Sequence, residues 1–556
     1  MTTLKIGELL KAKGLVTDAQ INLAVAQQSI TGDMLAETLT KLGFVSPKEV
    51  AQALAAQAGM DFIDLHGYVI PDDALRLVPR DIAERMGFLP LGFEKGWGLT
   101  IGITNPSNIL AIDTATRIGG KPPMVYMIDT ESFYETIETA YYFLENPIQQ
   151  RIANIINEIK AAEAISEATL SPGIISTLVE VLIMDGIRRN ATDIHINPAS
   201  ETMHVFCRID GVLQHALCFP RIAHSGVVSR IKILSQLDIA EQRLPQDGSF
   251  AFSFLNKKYD MRISTLPTIY GENIVIRILG SSGPLLRITN LGFNEHDAKQ
   301  LRTLFSKPHG IVLITGPTGS GKTTTLYAAL RELNLLEKNI LTVEDPVEYR
   351  ISMIKQTEVN ERAGYDFALA GRNFMRQDPD VMLLGELRDE ETARIAIRAS
   401  ITGHLVLTTL HSNDAVTSIP RLLDLNVDRF LLSSSLLAVI AQRLARKICI
   451  NCKTEYQLKD GELKAIDLSE LEGKIKTAFK GTGCPVCNNI GYRGRIVIVE
   501  ILIVDDEIKE LIYSGSSVKS IKDTAIRNGM RIMRDDGISK AIEGITTFEE
   551  VLRVVG

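Results

Sequence analysis

Between Leu291 and about Leu444, short apolar runs alternate with amphipathic stretches. Ile311-Val312-Leu313-Ile314, Ile340-Leu341-Thr342-Val343 and Val381-Met382-Leu383-Leu384 are apolar at nearly every position. A strand buried on one face alternates apolar and polar residues, whereas one covered on both faces does not. These runs predict a parallel sheet with helices on both faces, spanning residues 283–446. Strand patterns dominate 190–280, with Met203-His204-Val205-Phe206-Cys207-Arg208 and Ile274-Val275-Ile276-Arg277-Ile278-Leu279, and mark a mixed domain over 173–282. Residues 66–145 form a second α/β region in which Gly98-Leu99-Thr100-Ile101-Gly102-Ile103 reads as a strand. The polar, alanine-rich stretch 146–172 ends in Ser171-Pro172-Gly173 and reads as a linker with helical tendency. Phe430 to Ile440 is apolar apart from three serines and reads as a buried helix. It has about half the length of a membrane span. A cysteine-bearing segment over 447–500 and a helical region over 501–556 complete the chain.

The first 65 residues carry a repeat with an offset of 29: Ile6-Gly7-Glu8-Leu9-Leu10 aligns with Leu35-Ala36-Glu37-Thr38-Leu39, and Gly14-Leu15-Val16-Thr17 with Gly43-Phe44-Val45-Ser46. Each unit predicts a helix, a glycine at its C-terminus, a turn with Thr17 or Ser46 as N-cap, and a second helix.

At 556 residues the chain exceeds one core, and roughly three to five domains are expected. The net charge of −7 disfavours a general nucleic-acid binder. The start, Met1-Thr2-Thr3-Leu4-Lys5-Ile6-Gly7-Glu8, lacks the apolar core of a signal peptide. We therefore expect a cytoplasmic protein without a membrane span, any membrane role going through a partner.

Four of the six cysteines form two CxxC pairs, Cys449/Cys452 and Cys484/Cys487, separated by 31 residues. In a reducing compartment such pairs suit a tetrahedral Zn²⁺ thiolate site, with the intervening segment forming a loop or small subdomain. Cys207 and Cys218, in strand-like apolar surroundings, are expected in the core.

Gly316-Pro317-Thr318-Gly319-Ser320-Gly321-Lys322-Thr323 fits GxxxxGK[ST], follows the apolar run 311–314 and opens into Thr324-Thr325-Leu326-Tyr327. Strand, glycine loop and helix in that order make a phosphate loop. Its backbone amides and helix N-terminus suit the phosphates of ATP; Lys322 can reach the β/γ-phosphates and Thr323 can ligate Mg²⁺. Two later strands end in acids: 340–343 leads to Glu344-Asp345-Pro346-Val347-Glu348, and 381–384 to Gly385-Glu386-Leu387-Arg388-Asp389. The carboxyl ends of parallel strands face the ligand, so these acids can hold metal-bound water and orient the attacking water. In Thr402-Gly403-His404-Leu405-Val406-Leu407-Thr408-Thr409-Leu410-His411-Ser412-Asn413 two histidines bracket a strand. Either His404 or His411 suits sensing of a γ-phosphate, and either also suits a satisfied core position.

With these boxes in order, the chain resembles, over nearly its whole length, the secretion-type ATPases that power type IV pilus extension and type II secretion. Upstream runs match as well: Ala191-Thr192-Asp193-Ile194-His195-Ile196, Arg208-Ile209-Asp210-Gly211 and Arg243-Leu244-Pro245-Gln246-Asp247-Gly248. The resemblance implies a homohexamer whose subunits carry a PAS-like upstream domain and a RecA-like motor domain, with nucleotide between the two. It implies that Glu386 polarises the attacking water, that Glu344 supports Mg²⁺ and its waters, and that the partner is an inner-membrane platform protein. The large N-terminal region and the cysteine insert favour extension or secretion over retraction. Pilus extension is the leading reading, with type II secretion as alternative. A nucleotide-gated scaffold without turnover and a DNA translocase are rivals, disfavoured by intact Lys322 and Glu386 and by the negative charge respectively.

Two departures stand out. The family's Leu-Arg-x-x-Leu-Arg-Gln-Asp-Pro-Asp run is here Gly371-Arg372-Asn373-Phe374-Met375-Arg376-Gln377-Asp378-Pro379-Asp380, so packing there should differ. The N-terminal repeats look like the family's cyclic di-GMP-binding domain, whose repeats begin Arg-Leu-Gly. Lys5-Ile6-Gly7 and Met34-Leu35-Ala36 lack the planar guanidinium, which favours protein docking over cyclic di-GMP. Finally, no arginine lies near the phosphate loop in sequence. Among Arg208, Arg230, Arg243 and Arg262 of the upstream domain, we expect Arg208 and Arg230 to donate charge to the transferring phosphoryl group.

Overall fold

The computed structural model describes residues 4–556 except 66–67, 95, 165–169, 280–286, 334, 459–463, 465–467 and 469–474. The chain divides into two compact units, residues 1–13 with 47–283 and residues 14–46 with 284–556.

In the first unit, helices Ile6–Ala12 and Pro47–Ala58 precede a three-stranded sheet, Phe88–Phe93, Leu99–Ile103 and Met124–Met127. The stretch expected as a linker with helical tendency is helical and packs into a core. Ile148–Ala164 is a helix that buries Ile148, Ile152, Ile155 and Ile159, one stripe at helical spacing. That stripe joins the core under an antiparallel six-stranded sheet, ordered 212–220, 202–209, 193–198, 271–279, 257–268, 246–254, with helices Pro172–Arg188 and Ala223–Leu234. Cys207 is in this core, but Cys218 is exposed, contrary to expectation. Phe219 points inward, and in a strand its neighbour must then point out.

The second unit opens with helices Asp18–Thr31 and Leu35–Lys41; Thr17 caps the first, in a capping box with Gln20. Its sheet comprises β1 (Gly310–Thr315), β2 (Ile340–Glu344), β3 (Lys355–Glu358), β4 (Val381–Leu384), β5 (Leu405–Leu410), β6 (Leu436–Ile448) and β7 (Tyr492–Ile503). The spatial order is β3-β2-β4-β5-β1-β6-β7, parallel throughout except for β7. Two apolar clusters cover its two faces. One contains helix Lys322–Glu332, the other helices Phe367–Phe374 and Glu390–Ile401.

Three further differences have local causes. Phe430–Ile440 is not one buried helix: Arg429–Ser435 is helical, and Leu436 begins β6, which pairs with both β1 and β7. Residues 492–503, expected to span the end of the cysteine segment and the start of the helical region, belong to the main sheet, because their alternate side chains complete both apolar clusters. At the altered run, a Cβ on Gly371 would lie 2.8 Å from Ile395, so the two helices approach too closely for the leucine usual there. No helix among the described residues is long and apolar enough to cross a membrane.

The C-terminal helix Phe548–Val555 is fastened to β6 through Glu550, which is buried and bonded to Arg446 (2.7 Å) and Arg553 (2.6 Å). Burial alone would raise this carboxyl, but the hydrogen bonds from the two arginines outweigh it and hold it down at about 2. In the unfolded chain it titrates near its ordinary value of about 4.3, so its stabilisation is full above that pH and disappears as pH falls towards about 2. Glu550→Gln should lose about 3 kcal/mol at neutral pH, because it leaves the partly buried Arg446 without its acid. Calorimetric melting of this variant should also fall less steeply than wild type on acidification; equal slopes would assign acid sensitivity to other groups.

Candidate active site and metal centre

Parallel register alone lines up the groups at one edge. Thr315 pairs with Leu410 and with Ala441, Leu384 with Thr408, and Val343 with Leu384. The residues that follow these strands therefore sit side by side: Asp345, Glu386, His411 and the phosphate loop, with Gln442 of the longer β6 beside the loop. The first four lie at carboxyl ends, where an α/β sheet binds its ligand.

Gly316 leaves β1 with φ 146°, and a Cβ there would lie 2.5 Å from the Gln442 carbonyl oxygen. Gly319 and Gly321 also have positive φ, which lets the loop from Gly316 to Gly321 turn its amides inward. Helix Lys322–Glu332 begins directly after it, with Thr323 exposed and Thr324 half-buried in its first turn. Lys322 Nζ donates to the backbone carbonyls of Gly316 (2.8 Å) and Pro317 (3.3 Å). Burial pushes its ammonium below the ordinary value; Glu386 opposes this and Arg443 adds to it. A half-buried ammonium held only by carbonyls, in a loop with open space beside Gly319, fits a polyphosphate.

Glu386 is oriented from two sides. Arg388 Nε donates to its Oε2 (2.9 Å) and His411 Nε2 lies 3.2 Å from Oε1; Arg388 also reaches Asp345 (3.3 Å). Thr409 and Gly385 fix the turn, through Thr409 Oγ1 to the Gly385 carbonyl (2.7 Å) and Leu387 N to the Thr409 carbonyl (3.0 Å).

The structure places one expected residue away from this edge, and two others belong to the first unit. His404 precedes β5 at the opposite, amino end and bonds to the Ala399 carbonyl through Nδ1 (2.8 Å), so one strand length, about 20 Å, divides it from His411. Arg208 and Arg230 belong to the first unit. Arg208 donates to the Gly211 carbonyl (3.1 Å), and Arg230 Nε is buried without an acceptor among the described residues. Glu344 is at the edge, but its side chain is buried and engaged by Tyr327, by Thr342 (2.6 Å) and by Gln356 (3.2 Å). Burial and this carboxylate push the Tyr327 phenol far up. Glu344 thus ties β2 to the phosphate-loop helix, and Asp345 is the acid this strand end presents outward.

Several functional residues were missed. Gln442, fully buried, donates to the Ser320 carbonyl (2.8 Å) and accepts from Thr325 Oγ1 (3.0 Å), bracing the loop from β6. Its signal was a polar Gln-Arg pair interrupting the apolar run of β6. Thr315 bonds to Ser412 Oγ (2.7 Å) and accepts from Ser412 N (2.9 Å), fixing the start of the loop after His411. The absence of a neighbouring arginine, inferred from sequence distance, is corrected by Arg388 and Arg443.

The second centre is the cysteine cluster. Cys449, Cys452, Cys484 and Cys487 place their four sulfurs within 4.8 Å of one another, with Cys449–Cys484 and Cys452–Cys487 both at 3.8 Å and Cys484–Cys487 at 3.7 Å. A Zn–S bond of about 2.3 Å requires sulfurs about 3.8 Å apart in a tetrahedron, so the cluster fits zinc. Between the pairs, Lys453–Gln457 and Thr477–Gly481 form an antiparallel hairpin; most of 459–474 lies outside the described residues.

A phosphate loop closing on paired acids at neighbouring strand ends defines a P-loop nucleotide hydrolase. The family described as Type II/IV secretion system protein matches residues 168–553, and the MshEN domain matches 58–145, later than the duplicated helices. The type IV pilus assembly ATPase PilB of Myxococcus xanthus is 38% identical over 99% of this chain and 98% of its own. The type II secretion system ATPase E of Vibrio cholerae is 47% identical over 68% of this chain and 74% of its own. Among solved structures, the Legionella pneumophila ATPase DotB covers 69% of this chain and 96% of its own at 19% identity, with a TM-score of 0.49. The chain belongs to the type II/IV secretion system protein family and is an ATP-hydrolysing enzyme.

Purified protein should contain about one Zn²⁺ per chain by elemental analysis. Cys484→Ser should lose the metal and the local fold while nucleotide binding persists, because metal binding and folding are coupled at such sites. Stoichiometric iron, or no metal, would refute the assignment.

Proposed function

We propose that this chain is the extension motor of type IV pili, a homohexamer that turns ATP hydrolysis into movement at the inner membrane, where it acts peripherally from the cytoplasm on a platform protein. The observation that carries this reading is the match to a type IV pilus assembly ATPase over almost the whole of both chains. Type II secretion is the alternative, favoured by the higher identity of the shorter Vibrio cholerae match. Residues 1–65 serve as a protein-docking repeat module, with Lys5 and Met34 speaking against cyclic di-GMP. The six-stranded antiparallel sheet with its helices supports a PAS-like upstream domain, from which Arg208 and Arg230 would supply charge.

In hydrolysis, water bonds to the γ-phosphorus while the bridging P–O bond breaks and its electron pair leaves with ADP. Residues 316–324 hold the phosphates, and Lys322 meets the β/γ oxygens as the ammonium swings from its two carbonyls. Glu386, its carboxylate set by Arg388 and His411, orients the water and draws off its proton. Thr323 would hold Mg²⁺ with Asp345 alongside and Glu344 backing the strand end; the ion, when bound, neutralises phosphate charge.

Lys322→Ala should abolish nucleotide binding and turnover, and wild-type rates in that variant would refute the site. Glu386→Gln should keep binding yet lower turnover by about 10²–10⁴-fold; weaker binding with normal turnover per bound nucleotide would make Glu386 structural. In the source cell, deleting the gene should remove surface pili while leaving protein secretion intact, and the reverse outcome would select the secretion alternative.

A further inference from the structure

Strand β6 does not stop where β1 does. Ala441 pairs with Thr315, the last residue of β1, and β6 continues to Ile448, so Gln442 and Arg443 run beside the phosphate loop itself. The approach is close: a Cβ on Gly321 would lie 3.3 Å from Gln442 Nε2 and 3.5 Å from Leu444. With the Gln442 side chain bonded to Ser320 and Thr325, the backbone that carries Arg443 is fixed relative to the loop.

The Arg443 side chain is half-buried and only partly satisfied. Its Nη2 donates to the Asn413 carbonyl (3.1 Å), two residues beyond His411. Its Nη1 is buried and has no acceptor among the described residues. Nor does a carboxylate oxygen lie within ion-pair distance of it there, although Glu500 and Asp414 act on it from further off. Lys322 is in the same condition, held by two carbonyls. Two half-buried cations near each other without a paired acid are a standing electrostatic cost. A polyanion placed at the loop removes that cost, and ATP is that polyanion.

We propose that Arg443 is a catalytic residue acting in cis, its unpartnered Nη1 donating to the γ-phosphoryl oxygens. The γ position follows from the anchor. Asn413 continues the loop of His411, which contacts Glu386, so Arg443 is tethered to the side from which water attacks. As charge builds on the γ oxygens, a guanidinium already desolvated and aimed needs little reorganisation to stabilise it. Arg443 belongs to the same compact unit as the phosphate loop, which separates this role from the one assigned to Arg208 and Arg230 of the first unit. The inference rests on residues 316–323 being the phosphate loop.

The test uses the full chain with Arg443→Gln and Arg443→Lys, measuring turnover and the Kd of ADP and of a non-hydrolysable ATP analogue. Arg443→Gln should lower kcat by about 10²–10³-fold, towards the lower end of arginine contributions to phosphoryl transfer. ADP affinity should stay within about twofold while the analogue binds about tenfold more weakly, a loss confined to the group that ADP lacks. Arg443→Lys should fall between, since it keeps the charge and loses the planar fork; it also serves should the glutamine variant fail to fold. Equal weakening of ADP and analogue would reduce Arg443 to a scaffold for the Asn413 loop, and unchanged kcat would remove it from the mechanism. Lys322→Ala is the control: unaltered ADP binding there would sink the phosphate-loop assignment instead.

Discussion

Burial of β1 on both faces is the constraint from which the site follows. Ile311, Val312, Leu313 and Ile314 are all buried, and β1 is hydrogen-bonded to β5 on one side and β6 on the other. A one-residue slip would exchange the side chains facing the two helical layers, so the register is held by both apolar clusters at once. With register fixed, the heights of Glu386, His411, the phosphate loop and Gln442 along the sheet edge are fixed too. Chemistry at this edge is a consequence of packing below it.

The polar groups inside the sheet obey the same economy. Thr315, Gln442, Glu344 and Glu500 are all buried, and each is bonded to a partner on another element. Each thereby ties two elements that apolar contact alone would leave free to slide, because a buried polar group bonds in only a few directions. The phosphate loop is in this way held by strands on both of its sides.

What the sequence revealed was local. The phosphate loop and Glu386 are written in contiguous residues whose spacing has one physical reading, and the strands of the sheet are apolar runs. The cysteine cluster was legible because CxxC spacing itself approximates a chelate. What stayed hidden depends on pairing between distant segments. Gln442 and Arg443 acquire meaning only because β6 outruns β1. His404 and His411 look equivalent beside a strand until its direction says which end faces the phosphates. Glu344 was legible as an acid at a strand end, but its engagement with Tyr327 requires knowing which face position 344 takes. The breaking of residues 430–440 into helix and strand reflects β6 completing a sheet, a tertiary demand that local composition does not encode.

The bonds that shape the nucleotide loop reach far along the chain. Gln442 lies 122 residues beyond Ser320, and Glu500, which accepts the Ala415 amide, lies 85 residues beyond it and is itself capped by the amide of Met533. Polypeptides are made from the amino end. A nascent chain that has emerged as far as Thr323 therefore has no β6 against which to lay its phosphate loop, and one that has reached β6 still lacks the carboxylate that anchors Ala415. The order of synthesis thus leaves the brace of the phosphate loop and the anchor of Ala415 to segments that are made after it.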